Sequence, residues 1–277
     1  MLRLARPPYA FRGSNVSVLL PEEVALPVSD EISPDDRMYK TNPLAYEQAG
    51  FSALRCIRLA MAAAGIEYPQ RTLDLPCGHG RVMRVLRAAF PYTDLTACDI
   101  MPDAVDFCER AFGARPVYSS EDPSNIELGG PFDVVWCGSL LTHVDEQRWE
   151  AFLRLFESAL RPGGVVVFTA HGRLAVDERL RRRNYPFSMA EEQVEALVRD
   201  YDERGFGYSP HLSERDPDGE HFPASYGHAF ASPAWVCGQV AKVPRLRMLL
   251  YMEGGWGPVR GSWSQDAIAC WRAEDGS

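Results

Sequence analysis

The chain has 277 residues, 46% hydrophobic and 24% charged, a composition that suits one large folded domain and excludes a disordered or fibrous protein. Its 38 acidic residues outnumber 29 basic ones for a net charge of −9, so the surface should repel phosphate backbones and nucleic acid is not expected as a main partner. No apolar run approaches the roughly 20 residues of a membrane span, residues 1–8 carry arginines and prolines in place of an apolar signal segment, and the seven cysteines make no CxxC pair; a soluble cytoplasmic protein with reduced thiols is expected, Cys56, Cys108 and Cys270 among its core.

Residues 1–42 are rich in Pro, Asp and Glu without sustained periodicity and read as an arm lying over the domain of residues 43–277. From Asn42-Pro43 a helix is expected, with Leu54, Ile57 and Met61 on one face and Gly65 as its stop. Residues 72–75 read as a strand, followed by a helix striped by Val82, Val85, Leu86 and Ala89 and stopped by Pro91. Residues 95–98 form a second strand. Pro102 opens the next helix, Ala104, Cys108, Ala111 and Phe112 line it, and Gly113 ends it. A short third strand follows at 116–119 and a fourth, apolar on both faces, at 132–137. Trp149, Phe152, Phe156 and Leu160 mark a helix that ends at Arg161-Pro162-Gly163-Gly164, ahead of a fifth strand at 165–169. Strands separated by helical crossovers imply a parallel, doubly wound sheet.

Beyond Gly172 the rhythm changes. A charged helix over 190–201 precedes about thirty residues crowded with Gly, Pro, His, Tyr and Asp, and such long irregular stretches in compact domains are usually functional. Residues 205–209 and 225–230 are expected to pair as a hairpin, and the whole stretch 173–231 reads as a cap insertion. The run 179–183, rich in arginine, reads as a solvated helix face. A helix at 233–242 and strands at 247–252 and 267–271 close the chain. The last two strands are joined by a Gly-rich loop with no room for a helix, which makes them antiparallel neighbours.

The sharpest signal is Thr72-Leu73-Asp74-Leu75-Pro76-Cys77-Gly78-His79-Gly80-Arg81. A carboxylate ends a strand, a glycine-containing turn follows, and a helix begins. At the carboxyl end of a parallel sheet this turn is where a nucleotide-like cofactor binds, and glycines let backbone approach it closely. Asp99 ends the second strand 25 residues later, placed to accept hydrogen bonds from both hydroxyls of a ribose. A dinucleotide pyrophosphate would meet the charge of Asp74, and Met83 stands where GxGxxG needs its third glycine. S-adenosylmethionine carries a sulfonium and an ammonium instead, which the carboxylate favours.

The chain resembles the class I S-adenosylmethionine-dependent methyltransferases from about Tyr39 to Trp271. Residues 73–80 resemble the family's first motif, Asp99 its ribose-binding acid, 132–141 its fourth-strand motif and 160–164 the turn before its fifth strand. Pro76 departs from the pattern by occupying the first glycine position, and with its φ near −65° the turn must be entered in extended form. The strings Gly78-His79-Gly80-Arg81, Ser139-Leu140-Leu141-Thr142-His143 and Glu253-Gly254-Gly255-Trp256 are similar to a bacterial subgroup found among sugar, polysaccharide and specialised-metabolite biosynthesis enzymes. The resemblance implies an α/β Rossmann-like sheet of seven strands in the order 3-2-1-4-5-7-6 with the last antiparallel. It also implies a small-molecule acceptor, with methyl transfer to a sugar or metabolite hydroxyl as the leading reading. A non-catalytic scaffold keeping the cofactor fold and an NAD-dependent oxidoreductase are the rivals.

The cofactor residues expected by position are Tyr39, Asp74, Pro76, Cys77, Gly78, Gly80, Arg81, Asp99, Ile100, Asp122, Cys137 and Gly138. Arg81 would pair with the methionine carboxylate or lie on the surface. Asp122 would bond the adenine amino group or cap a helix. Cys77 is structural within the turn. His143 and His171, each following a strand at the carboxyl edge, are candidate general bases, and Asp145 either orients an imidazole or caps the next helix. Tyr226, His228 and Trp256, with Gln265 and Asp266, are candidates for the acceptor site. No His, Cys, Asp or Glu cluster has metal-ligand spacing, so no metal is expected.

Overall fold

The computed structural model describes residues 23, 25–184, 189–210, 226–257 and 264–274. Local signals set the element ends. Helix α1 (Arg37–Thr41), a turn within the expected arm, starts where the Asp36 side chain accepts from the Tyr39 amide. Helix α2 (Pro43–Ala64) starts where Asn42 caps the Ala45 amide with Pro43 in its first turn, and ends at Gly65, whose φ of 72° suits a residue without Cβ. Strand β1 (Arg71–Asp74), helix α3 (Met83–Ala89), strand β2 (Asp94–Asp99), helix α4 (Pro102–Phe112) and strand β3 (Arg115–Tyr118) alternate as the periodicity requires. Strand β4 (Phe132–Cys137), helix α5 (Glu146–Ala159) and strand β5 (Leu160–Ala170) complete the parallel half. Helix α6 (Glu191–Arg204), the hairpin of β6 (Phe206–Pro210) and β7 (Gly227–Ala231), helix α7 (Pro233–Ala241) and strands β8 (Leu246–Trp256) and β9 (Gln265–Arg272) follow.

The main sheet has seven strands in the order β3-β2-β1-β4-β5-β9-β8, which is the expected 3-2-1-4-5-7-6 once the hairpin strands are counted separately. Strands β1 to β5 pair in parallel and β9 runs antiparallel to both β5 and β8. Apolar residues fill both faces. On one, Leu54, Ile57 and Met61 of α2 pack with Met83, Leu86, Val134 and Trp136; on the other, Leu73, Val135, Trp149, Phe156 and Val236 form the second core. Residues of the arm lie against this body. Arg84 donates to the carbonyls of Ser29 and Glu31, both at 2.9 Å, and Arg55 makes a two-point contact with the buried Glu23 at 2.8 and 2.6 Å.

Three features differ from the sequence expectations. Arg161-Pro162-Gly163-Gly164 does not end the helix; β5 already begins at Leu160, and the four residues form an irregularity in its pairing with β4, with Gly163 at φ 76°. Strand β8 runs four residues further than expected, to Trp256. The arginine run is not wholly solvated. It falls on a π-helical turn (Val176–Arg181) that directs Arg179 inward, 3% exposed, while Arg181 and Arg182 pair with Asp177 and Glu178 on the surface. The hairpin pairs antiparallel, Phe206 opposite Ala231 and Ser209 opposite His228; the expected tip of the insertion, 214–220, lies outside the described residues. Among the described residues no helix is long and apolar enough to cross a membrane.

Candidate functional site

Strands β1, β2, β4 and β5 end side by side, which brings Asp74, Asp99, Cys137 and Ala170 to one edge of the sheet. After Asp74 the chain passes a cis Leu75–Pro76 peptide and turns through Gly78 (φ 48°) and Gly80 (φ 81°). A Cβ on Gly80 would collide with the Phe112 ring, while nothing lies within 4 Å of where one on Gly78 would stand, leaving that backbone open to approach. The turn is tied to β2: the Cys77 amide donates to the Cys98 carbonyl at 3.0 Å and the Gly78 amide to Asp99 Oδ2 at 2.8 Å. Cys77 itself is buried and its thiol is pushed well above the ordinary value, first by its hydrogen bond with Cys108 and then by burial, which disfavours a reactive thiolate.

Asp74 is 1% exposed, and neither carboxylate oxygen has a hydrogen-bond partner. Burial, reinforced by Asp99 and opposed by Arg81, drives its pKa well above the ordinary carboxylate range. A buried carboxyl left without partners is costly, and a cationic ligand would supply what it lacks. Asp99, 3% exposed, accepts from the amides of Gly78 and Met101 (3.0 Å). A carboxylate has about four lone-pair positions, so two remain for a vicinal diol. Ile100 beside it is 46% exposed, an apolar side chain facing outward where a flat base would cover it. These residues fit S-adenosylmethionine, with Asp74 toward its positive end and Asp99 toward its ribose.

Other expected cofactor residues are placed less uniformly. Arg81 is half-buried and not a surface arginine; its guanidinium lies 5.3 Å from the centroid of the Trp256 ring, and burial lowers its pKa against the pull of Tyr46, Asp36 and Asp74. Tyr39 packs edge-on against Tyr46, ring centroids 5.4 Å apart. The Asp122 carboxylate takes the capping role, accepting from the amide (2.9 Å) and hydroxyl (2.8 Å) of Ser124. Cys137 sends its side chain into the second core, so its backbone is what it offers to a ligand. Gly138 is a place of close approach: a Cβ there would stand 2.8 Å from Trp136 Nε1. Trp256, expected at the acceptor, is corrected by its burial. It is 4% exposed, donates to the Ala49 carbonyl at 3.0 Å and packs edge-on against Trp136, because the extended β8 carries it into the core under α2.

Of the candidate catalytic and acceptor residues, His143, His171, Tyr226 and His228 come together. His143, after β4, stacks on Tyr226 with centroids 4.2 Å apart and planes 11° apart, and lies 6.4 Å from His171 and 6.1 Å from His228. Its Nδ1 is 2.8 Å from the Gly227 carbonyl, which can only accept; the proton therefore sits on Nδ1 and the basic lone pair on Nε2. Asp145 does not orient this ring. It caps α5 through the Arg148 amide at 3.0 Å and pairs with the Arg148 guanidinium. His171 is corrected as a candidate base: its Nδ1 faces the Ala229 carbonyl at 3.2 Å, and Arg179 donates to its Nε2 at 2.9 Å, so both ring nitrogens are engaged. Burial first, then the Arg179 charge, holds it well below the ordinary histidine value, as a neutral ring. Burial pushes Arg179 itself down to about 10. Asp266 is buried beneath Tyr251 and Gly254, which donate to its two oxygens at 2.8 and 2.9 Å, a role in packing the closing strands.

Sequence reasoning missed Arg179 as the partner of His171, because only the π-helical turn aims it inward. It also missed Ser139 and Thr169, which with Gln265 make a polar circuit at the ends of β4, β5 and β9. Nothing in their spacing signals it.

Residues 72–164 match the family model described as a methyltransferase domain. A 68-residue stretch is 31% identical to the malonyl-[acyl-carrier protein] O-methyltransferase of Anoxybacillus flavithermus, spanning 24% of this chain and 26% of that protein. Two solved structures share the fold over nearly their whole length. They are the sugar N-methyltransferase KedS8 from Streptoalloteichus (TM-score 0.52, 16% identity, 98% of this chain and 100% of that one) and the N-methyltransferase NodS from Bradyrhizobium japonicum with S-adenosyl-L-homocysteine (TM-score 0.51, 14% identity, 87% and 94%). Residues 72–164 carry a methyltransferase domain, on the Rossmann-like sheet that these structures share, with S-adenosylmethionine as its cofactor.

Proposed function

We propose that the protein transfers a methyl group from S-adenosylmethionine to a hydroxyl of a small-molecule acceptor, a sugar or a specialised metabolite. When bound, the cofactor supplies an electrophilic methyl on its sulfonium. The chain's residues do the rest. Asp74 faces the cationic end, Asp99 holds the ribose, and the backbone of Gly78, Gly80, Cys137 and Gly138 lines the approach; Arg81 is placed to meet the methionine carboxylate.

The observation that carries the acceptor reading is the pairing of His143 with Tyr226 and the hairpin. The fixed tautomer presents Nε2 as a proton acceptor, which a hydroxyl nucleophile needs and a neutral amine does not need before attack. The stacked aromatic faces suit a ring-bearing acceptor of modest size, and the insertion 173–231 would cover it. Most of the rate comes from holding the acceptor oxygen in line with the methyl. A nitrogen acceptor is the second reading, favoured by the two N-methyltransferases among the proteins that share this fold.

Incubation of the purified protein with S-adenosylmethionine and a panel of sugar, nucleotide-sugar and phenolic acceptors tests this, read as S-adenosylhomocysteine formed and as the mass and bond position of the product. A methyl ether supports the reading. A methylated amine replaces it with the second, and cofactor binding without turnover on any acceptor or cell extract would leave a scaffold.

A further inference from the structure

Ser139 is one of two described non-glycine residues with positive φ, at 63°, and it follows directly on Gly138 at the end of β4. A left-handed serine is uncommon, and such backbone persists only where its surroundings over-determine it. Here they do so through a closed circuit of hydrogen bonds. The Ser139 amide donates to Thr169 Oγ1 at 2.7 Å, and the Thr169 hydroxyl donates to Gln265 Oε1 at 2.6 Å. Gln265 Nε2 donates back to Ser139 Oγ at 2.9 Å. Ser139 Oγ lies 3.2 Å from Thr142 Oγ1, and the Thr142 hydroxyl donates to the Ser139 carbonyl at 2.8 Å. Each hydroxyl has one donation to make, and the circuit uses each once. It starts at the Ser139 amide and returns to the Ser139 carbonyl.

Thr142 and Thr169 are completely buried and Gln265 nearly so, Ser139 is half-buried, and the members come from three strand ends distant in sequence. Val166, Val167 and Phe168, the residues just before Thr169 in β5, are apolar and fully buried. The loop so held carries His143, and the Thr142 and His143 carbonyls receive the amides of Ala229 and Gly227, both at 2.8 Å. One polar node therefore sets the edge of the cofactor cleft and the attachment of the hairpin together.

We propose that Thr169 and Gln265 are positioning residues of the site: they lock Ser139 in its left-handed conformation and so hold the 139–143 loop, with His143, in one geometry. The inference rests on the functional reading above in taking this loop as the border of the cofactor's methionine end. Fully satisfied buried networks rigidify and specify one arrangement.

Paired substitutions separate this role from simple packing. Thr169→Val keeps the side-chain volume and removes the hydroxyl; Thr169→Ser keeps the hydroxyl and removes a methyl. Two measurements apply to each: S-adenosylhomocysteine affinity by calorimetry, and amide hydrogen exchange of residues 140–143 in the ligand-free protein. The expected result is that Thr169→Val weakens affinity about tenfold or more and speeds exchange of the loop, while Thr169→Ser stays within twofold on both. Packing alone predicts the reverse order, and that result, or Thr169→Val matching the wild type on both, would overturn the proposal. Gln265→Leu cuts the other arm of the circuit and serves if Thr169→Val does not fold. Wild-type protein that failed to bind S-adenosylhomocysteine would overturn the functional reading, while the exchange arm would still decide the network.

Discussion

His143 and Gly227 hold one another by two reciprocal hydrogen bonds. The histidine ring donates from Nδ1 to the Gly227 carbonyl, and the Gly227 amide donates to the His143 carbonyl, both at 2.8 Å. The two residues are 84 positions apart, and the contact attaches the hairpin to the end of β4. A second stitch follows, with the Ala231 amide on the His171 carbonyl at 2.9 Å. The hairpin thus lies over the carboxyl edge, and the His143 ring owes its tautomer to it.

The first expectation concerns that ring. His143→Ala should lower turnover by about 10²-fold, roughly 2.7 kcal/mol of barrier. Cofactor affinity should hardly move, and the acidic limb of the pH–rate profile should vanish. Steady-state kinetics on the identified acceptor check this; near-normal turnover would show that transfer runs on positioning alone.

Asp99→Ala removes the acceptor for two backbone amides and for the ribose hydroxyls. S-adenosylmethionine affinity should fall by about 1.5–3 kcal/mol, the scale of charge-assisted hydrogen bonds. Calorimetry on a variant whose circular dichroism matches the wild type would reveal an unaffected affinity if the assignment is wrong.

Asp74 links the site to pH. Its carboxyl is held well above the ordinary value by burial and by Asp99. The folded, ligand-free protein therefore keeps a proton that the unfolded chain releases near pH 3.9. The stabilisation from this group is present below that pH and is lost as pH rises through the folded-state midpoint. Asp99 and Asp266, also raised chiefly by burial, act in the same direction. Binding of a cation needs the carboxylate, so S-adenosylmethionine affinity should climb over the same window in which ligand-free stability declines. Asp74→Asn should flatten the rise in affinity, as titrations at several pH values would register.

Gly138→Ala would push a methyl to 2.8 Å from the Trp136 indole, which is buried and braced by Trp256. Overpacking of this kind costs about 1–3 kcal/mol. A lowered melting temperature together with weakened S-adenosylhomocysteine binding is expected. A variant that melts and binds like the wild type would mean that Trp136 can yield.

The amino-acid sequence by itself determined the parallel sheet, its antiparallel closing strands and the cofactor turn, while the strand order came from the family resemblance. Those features rest on local physics: apolar periods of two and 3.6, Pro and Gly at helix ends, and a carboxylate followed by glycines at a strand end. Asp74 and Asp99 stand where that reading put them because each ends its strand, and Gly78 and Gly80 because they form the turn that follows β1. The tertiary structure alone decided what depends on long-range contact. Whether Arg179 faced water or His171 turned on the phase of a π-helical turn. Trp256 went to the core because β8 continues past its expected end, and Asp145 and Asp122 spent their oxygens on nearby amides. The circuit of Ser139, Thr169 and Gln265 joins three strand ends whose polar side chains carry no periodic signal. Short polar residues reveal their partners only when the sheet has brought them within hydrogen-bond reach.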